Sequence, residues 1–190
     1  MAIVSVGALL HAMMTDLGVP LDRGGLISAG LFIGNVSGIV VLNVALASVP
    51  AKTIVLGGTA LQGLSLIGAG LGAFNLWSLF AIYLVIGFSG ALMNGTCWMW
   101  QAAHMKRNAA AAALKMIMFF ALAMMAVPLV VGAVLDRGAS WRMVLVVEGS
   151  LSLAVALACV FFPLLDITGR RNVRGRHLKE VIGYNPGLLL

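Results

Sequence analysis

The sequence predicts an all-α fold, a polytopic membrane bundle of six transmembrane helices. Three observations carry that prediction. Of the 190 residues, 62% are hydrophobic and only 9% are charged, which leaves too little polar surface to cover a water-soluble globule of this size. Six apolar stretches follow one another between Met1 and Leu165. The few charges that interrupt them fall mostly on alternate turns, as a chain crossing a bilayer repeatedly requires.

A hydrocarbon core of about 30 Å needs roughly 20 apolar residues per helix. Gly25–Val49, Thr53–Phe74, Leu76–Trp100, Ala109–Leu135 and Val144–Leu165 each supply such a segment. Met1–Thr15 is too short at about 1.5 Å per residue, so the first helix is expected to begin upstream of Met1. No basic run precedes Ala2–Leu10 and no cleavage site follows it, which argues against a signal peptide. Residues 1–165 therefore form the bundle, and residues 166–190 form a basic cytoplasmic surface segment. In that tail Leu178, Val181 and Ile182 share one side of a short helix and Arg176, Lys179 and Glu180 another, a pattern suited to lying on a membrane surface. Pro186 and Gly187 end it, and the closing GLLL reads as the start of a further apolar segment.

Short loops rich in Lys and Arg stay cytoplasmic. Lys52, Lys106, Arg107, Arg170, Arg171, Arg174, Arg176 and Lys179 fall on one side; Arg23, Arg137 and Arg142 fall on the other, offset by Asp16, Asp22 and Asp136. Both termini are accordingly expected in the cytoplasm, in an inner membrane. The net charge of +6 is explained by this topology and by attraction of the tail to anionic headgroups; aromatic interleaving of the kind that binds nucleic acid is absent. Cys97 and Cys159 both lie inside spans without a CxxC spacing or a flanking His, so they are read as packed thiols, with no metal and no cofactor implied.

Lipid tails are as apolar as Leu, so membrane helices associate where small residues let backbones approach. Gly30, Gly34 and Gly38 make such a stripe on the second span, with Ser37 beside them, and Gly68 and Gly72 add to the third. Most of this surface is read as ordinary helix packing and some as available to a partner. Pro128 removes a backbone donor from the fifth span and is expected to kink it near Met124, with Gly132 four residues on.

Several segments resemble one family. GASWRMVLVVEGSLSL (138–153) resembles the Trp-Arg signature that opens the sixth helix of major facilitator superfamily transporters. GVPLDRGGLISAGLFIGNVSG (18–38) is similar to the passage from helix one to helix two in that family, and IYLVIGFSGALMNG (82–95) to its Gly-rich fourth helix, with Gly87 and Gly90 at the small positions. The resemblance spans nearly the whole chain and implies the N-terminal six-helix half of a transporter, with cytoplasmic termini and a basic surface helix leading to a second half. The family's gating loop usually reads G-x-L-A-D-R-x-G-R-K; here it is NVALASVPAK, with Ala47 at the Asp position, Pro50 at the second Gly, and Lys52 alone left of the charged set. The gating role is therefore assigned to Lys52. Tyr83 stands where proton-coupled members often carry Arg, and AMMAVPLVVG keeps only Pro128 and Gly132 of the drug-antiporter pattern, so a proton-coupled drug exporter is not the reading.

Ionisable groups inside a bilayer cost roughly 2.5–3.5 kcal/mol at the midplane and usually face a cavity or a partner. Lys115 lies two turns into the fifth helix, at a depth comparable with Asn94 and Trp98 on the fourth. The resemblance puts helix four on the central path and helix five at its border. Lys115, Asn94 and Trp98 are then candidate contacts for a small solute, an anion being favoured by Lys115; snorkelling of Lys115 to the headgroups competes with that role. His11 is a further candidate, because an imidazole of ordinary pKa about 6.5 could couple protons, although a hydrogen-bonded packing role is commoner. Glu148 is expected to pair with Arg142, and Asn35 and Asn43 to join helices.

The function expected from these residues is secondary transport of a small solute by alternating access, completed by a C-terminal six-helix half or a second copy. A non-transporting membrane subunit or an inactive truncated fragment of the same fold is the alternative. An enzyme is not expected. The remote exception is a rhomboid-like intramembrane serine protease, suggested by Gly87-Phe88-Ser89-Gly90, but this needs a His within reach of Ser89 and the downstream candidates are only His104 and His177.

Overall fold

The computed structural model of the chain describes the backbone of residues 2–73, 75–104 and 109–161, and the side chains of 5–73, 75–101 and 110–161. The tail expected to form a surface segment, with Lys106 and Arg107, lies outside these described residues. Six α-helices follow in order: α1 (Ala2–Asp16), α2 (Gly25–Ala45), α3 (Ala51–Gly72), α4 (Leu76–His104), α5 (Ala109–Asp136) and α6 (Trp141–Phe161), with one 3-10 turn at Leu21–Gly24. All described regular structure is helical. Helices α2 to α6 are long and apolar enough to cross a membrane, the architecture of a multi-pass membrane protein. At 15 residues, or about 22 Å, α1 is shorter than a bilayer core.

Local chemistry sets the boundaries at the end of the bundle where α1, α3 and α5 finish. Gly18 (φ 61°) and Gly138 (φ 85°) adopt the left-handed conformation and close α1 and α5 in the same way. Val19 N–H donates to Met14 C=O and Gly18 N–H to Thr15 C=O; likewise Ala139 N–H reaches Val134 and Gly138 N–H reaches Leu135. These are paired Schellman bonds that satisfy the last carbonyls, at a backbone conformation glycine tolerates best. Asn75 and Ser78 exchange side-chain-to-backbone bonds of 2.8 and 3.2 Å at the start of α4, a reciprocal cap. Ser140 accepts from Arg142 N–H at 3.2 Å, so α6 starts at Trp141, three residues earlier than hydropathy suggests.

The packed pairs are α2 with α4, α3 with α4, and α3 with α6; α1 touches α5 and α6, and α5 touches α4 only lightly. Exchanging α1, α2, α3 for α4, α5, α6 turns α2–α4 into α5–α1 and α3–α4 into α6–α1, and leaves α3–α6 unchanged. The three tightly packed pairs thus map onto contacting pairs, whereas the light α4–α5 contact has no comparable α1–α2 counterpart.

Glycine makes the close pairs. A Cβ on Gly30 would lie 2.7 Å from the Phe80 carbonyl oxygen and one on Gly38 2.6 Å from that of Phe88, while Gly34 lies against the Leu84 carbonyl and Gly87 against that of Leu31. Between α3 and α6, Gly63 and Gly149 each back onto the other's carbonyl oxygen. The stripe at Gly30, Gly34 and Gly38 is therefore consumed inside the chain and is not available to a partner. Gly68 and Gly72, expected to join this surface, are exposed, and among the described residues nothing lies within 4 Å of a Cβ added to either; α3 packs through Gly58, Gly63 and Gly70 instead. The main apolar core, including Leu9, Met13, Ile27, Leu66, Tyr83 and Leu145, sits towards the end where α1 finishes.

Candidate functional site

Helix α5 runs unbroken from Ala109 to Asp136 through Pro128. Its C-terminal half packs on the core, where Val131 is buried and Val127 and Leu135 lean on it; Leu114, Ile117, Met118, Phe119 and Phe120 all remain exposed. Lys115 is on this exposed half. Asn94 is half-buried and Trp98 is 41% exposed on α4. All three lie towards the end where α6 finishes, but no hydrogen bond or ion pair among the described residues joins Lys115 to Asn94, Trp98 or His11. His11 is exposed on α1, and its backbone carbonyl accepts a 2.8 Å bond from Thr15 Oγ1.

Lys52 is engaged. Its Nζ donates to the Val160 carbonyl at 2.9 Å, satisfying one of the last carbonyls of α6 and placing a positive charge at the negative end of that helix. Asn43 does not join helices as expected, because its amide donates to Ile39 C=O one turn back at 2.9 Å. Ser89 is fully buried and donates within its own helix to Ile86 C=O at 3.0 Å.

Two polar clusters were not legible in advance. At the α1 terminus Asp16 Oδ2 accepts from Arg142 at 3.2 Å and from Trp141 Nε1 at 3.1 Å. The same guanidinium nitrogen donates to Ala73 C=O at 3.0 Å and its carbon lies 4.5 Å from the Trp141 ring centroid. One Trp-Arg dipeptide thus ties α6 to the ends of α1 and α3. This corrects the pairing expected of Arg142: six residues along a helix put Glu148 about 240° round and roughly 9 Å away from it, out of the reach that spacings of three or four allow.

Glu148 instead accepts a 2.9 Å bond from Ser5 Oγ of α1. Ser5 is fully buried. The same glutamate borders a partly open groove of about 510 Å³ between α5 and α6, whose other lining residues are all apolar, with valines from both helices. Comparison with the profiles of known families, with curated proteins and with solved structures finds no match to this chain. The sites rest on the chain's own geometry. A buried hydroxyl facing a membrane-embedded carboxyl would be the sequence signal for the second cluster, but Ser5 and Glu148 stand 143 positions apart and nothing local links them.

Proposed function

We propose that this chain is one half of a secondary transporter that works by alternating access in an inner membrane, with both termini cytoplasmic, as in the major facilitator superfamily. The observation that carries the reading is the helix adjacency, in which the three tightly packed pairs map onto contacting pairs when the first three helices are exchanged for the last three. Nested inverted three-helix repeats of this kind build each half of such transporters. A single bundle cannot enclose a midplane site, so a C-terminal half or a second copy completes it. The bare N-terminal half of α5 supports this reading, because a helix that borders the transport path presents that surface to the opposite half.

In this reading Lys115 offers its ammonium to an anionic solute, while Asn94 and Trp98 orient it from α4 and His11 is a candidate proton carrier. The test is thermal stability of the detergent-purified chain against small organic anions, cations and neutral metabolites, with oligomeric state recorded. An anion-specific stabilisation that disappears in Lys115→Ala supports the site. Stabilisation that survives the substitution removes Lys115 from it. One observation favours a second reading, a membrane subunit of the same fold that does not transport: Lys52, the gating candidate, already holds the end of α6. A folded monomer indifferent to every solute would select that reading.

A further inference from the structure

The connection between α5 and α6 spans only residues 137–140, and so short a link ordinarily makes antiparallel neighbours that pack together. Among the described residues, however, α5 and α6 are not a packed pair; α1 touches both instead. The furrow of about 510 Å³ left between them has a floor of Val127, Val131 and Val144, which belong to the core or lean on it. Its rims are exposed, Val130 on α5 and Met143 and Val147 on α6. The Glu148 carboxyl at its edge is turned to Ser5 of α1, so the walls present hydrocarbon. Water finds no polar partners there, and the fitting occupant is another hydrocarbon.

The mouth of the furrow is different. Val130, Val134 and Arg137 stand at i, i+4 and i+7 and so continue one side of α5, which carries the rim into an exposed guanidinium. Among the described residues the Arg137 side chain makes no hydrogen bond or ion pair, not even with the neighbouring Asp136. Arg142, across the connection, is already held by Asp16, Ala73 and Trp141.

We propose that the furrow and Arg137 together bind one anionic phospholipid, with an acyl chain lying between α5 and α6 and the headgroup phosphate on the guanidinium. From Ala126 to Val134 the furrow is about 12 Å long at 1.5 Å per residue, so it takes the part of the chain nearest the headgroup and leaves the rest in the bilayer. Apolar walls select hydrocarbon without selecting a headgroup. The charge at the mouth supplies the choice between an anionic and a zwitterionic lipid. The inference rests on the chain's crossing a membrane and not on transport, and it uses neither Lys115 nor the basic tail.

The test is photo-crosslinking of the full chain in phosphatidylcholine nanodiscs that carry a trace of phosphatidylglycerol with a diazirine in its acyl chain, followed by peptide mapping. Label should concentrate in residues 126–147, about fivefold above the same probe with a choline headgroup, the ratio that one basic side chain near the surface supplies. Arg137→Gln should bring the two probes level. Val130→Trp, which fills the furrow from a position already 62% exposed, should abolish the concentrated label. Excess unlabelled phosphatidylglycerol should displace it and glycerol phosphate should not, since a free phosphate lacks the chain. Label spread evenly over the exposed faces of α2 and α5 would mean ordinary annular lipid and overturn the proposal. Equal labelling by the two headgroups, an undiminished preference in folded Arg137→Gln, displacement by glycerol phosphate, or concentrated label in folded Val130→Trp would each overturn it too. The headgroup comparison and the displacement need only the unaltered chain, so they decide the matter even if a variant does not fold. Lys115→Ala leaves the furrow and Arg137 intact and should leave the label unchanged; its loss there would place the lipid at Lys115 instead.

Discussion

Helices α3 and α5 invert the rule that holds in water. The span in α5 is the more hydrophobic, with a mean hydropathy of 2.5 against 1.6, yet 6% of it is buried within the chain and 44% of α3 is. In a bilayer, apolar side chains gain little by leaving lipid for protein, so hydropathy does not select the interior helix. Close backbone approach does. Helix α3 offers Gly58, Gly63 and Gly70 to its neighbours, with Thr59 and Gln62 buried among them. The N-terminal half of α5 carries exposed Leu, Ile, Met and Phe side chains.

The largest effect is expected where that difference is sharpest. Gly34→Leu should prevent folding, because its Cβ would overlap the Leu84 carbonyl and the main chain of α4 cannot retreat without losing its own hydrogen bonds. Gly63→Leu should act similarly through the Gly149 carbonyl, 2.9 Å from the added Cβ. Loss of monodisperse protein in detergent is the readout. The same pair of helices surviving Gly34→Leu with unchanged thermal stability would mean that the two helices do not touch there.

Arg142→Ala should come next, at about 2 kcal/mol in reversible unfolding in mixed micelles. It removes hydrogen bonds to Asp16 and Ala73 and the guanidinium stacked on Trp141, each worth roughly 0.5–1.5 kcal/mol. Asp16→Asn should cost less, since an amide oxygen can still accept from Trp141 and the ion pair is part-exposed. Equal losses in the two variants would mean that neither the bond to Ala73 nor the stack on Trp141 contributes.

What could be read in the sequence follows the same division. Four of the five long spans start within two residues of where hydropathy puts them, because lipid thickness acts on each segment alone. The exception in kind is α6, which Ser140 starts early through a hydrogen bond that hydropathy cannot register. Pairing was hidden. The stripe at Gly30, Gly34 and Gly38 announces a close contact but not that α4 makes it, and Gly68 and Gly72 have the same spacing with no contact at all. Arg142 and Glu148 look like partners in one helix, yet each binds α1, at Asp16 and Ser5. Chemistry that depends on two distant helices has no local signature.

Lys52→Ala should lose about 0.5–1 kcal/mol in the same unfolding assay, the ordinary net value of one hydrogen bond. The lost contact is with the Val160 carbonyl at the end of α6. A much larger loss would mean that Lys52 clamps the α3–α6 pair, a structural duty that the Gly63–Gly149 contact, three turns further along both helices, already performs.

The smallest effect tests what the bare helix faces. Among the described residues, nothing outside its own turn of helix lies within 4 Å of a Cβ added to Gly132 of α5. In the isolated chain Gly132→Ala should therefore be neutral or gain up to about 1 kcal/mol, since alanine is the better helix former. A partner helix changes the sign, because small residues are where membrane helices approach one another. If the variant is more stable as a purified monomer but assembles less well, α5 is a face that something else covers. If stability and assembly are both untouched, lipid is its neighbour, and the apolarity that distinguishes α5 from α3 is fully accounted for by the bilayer.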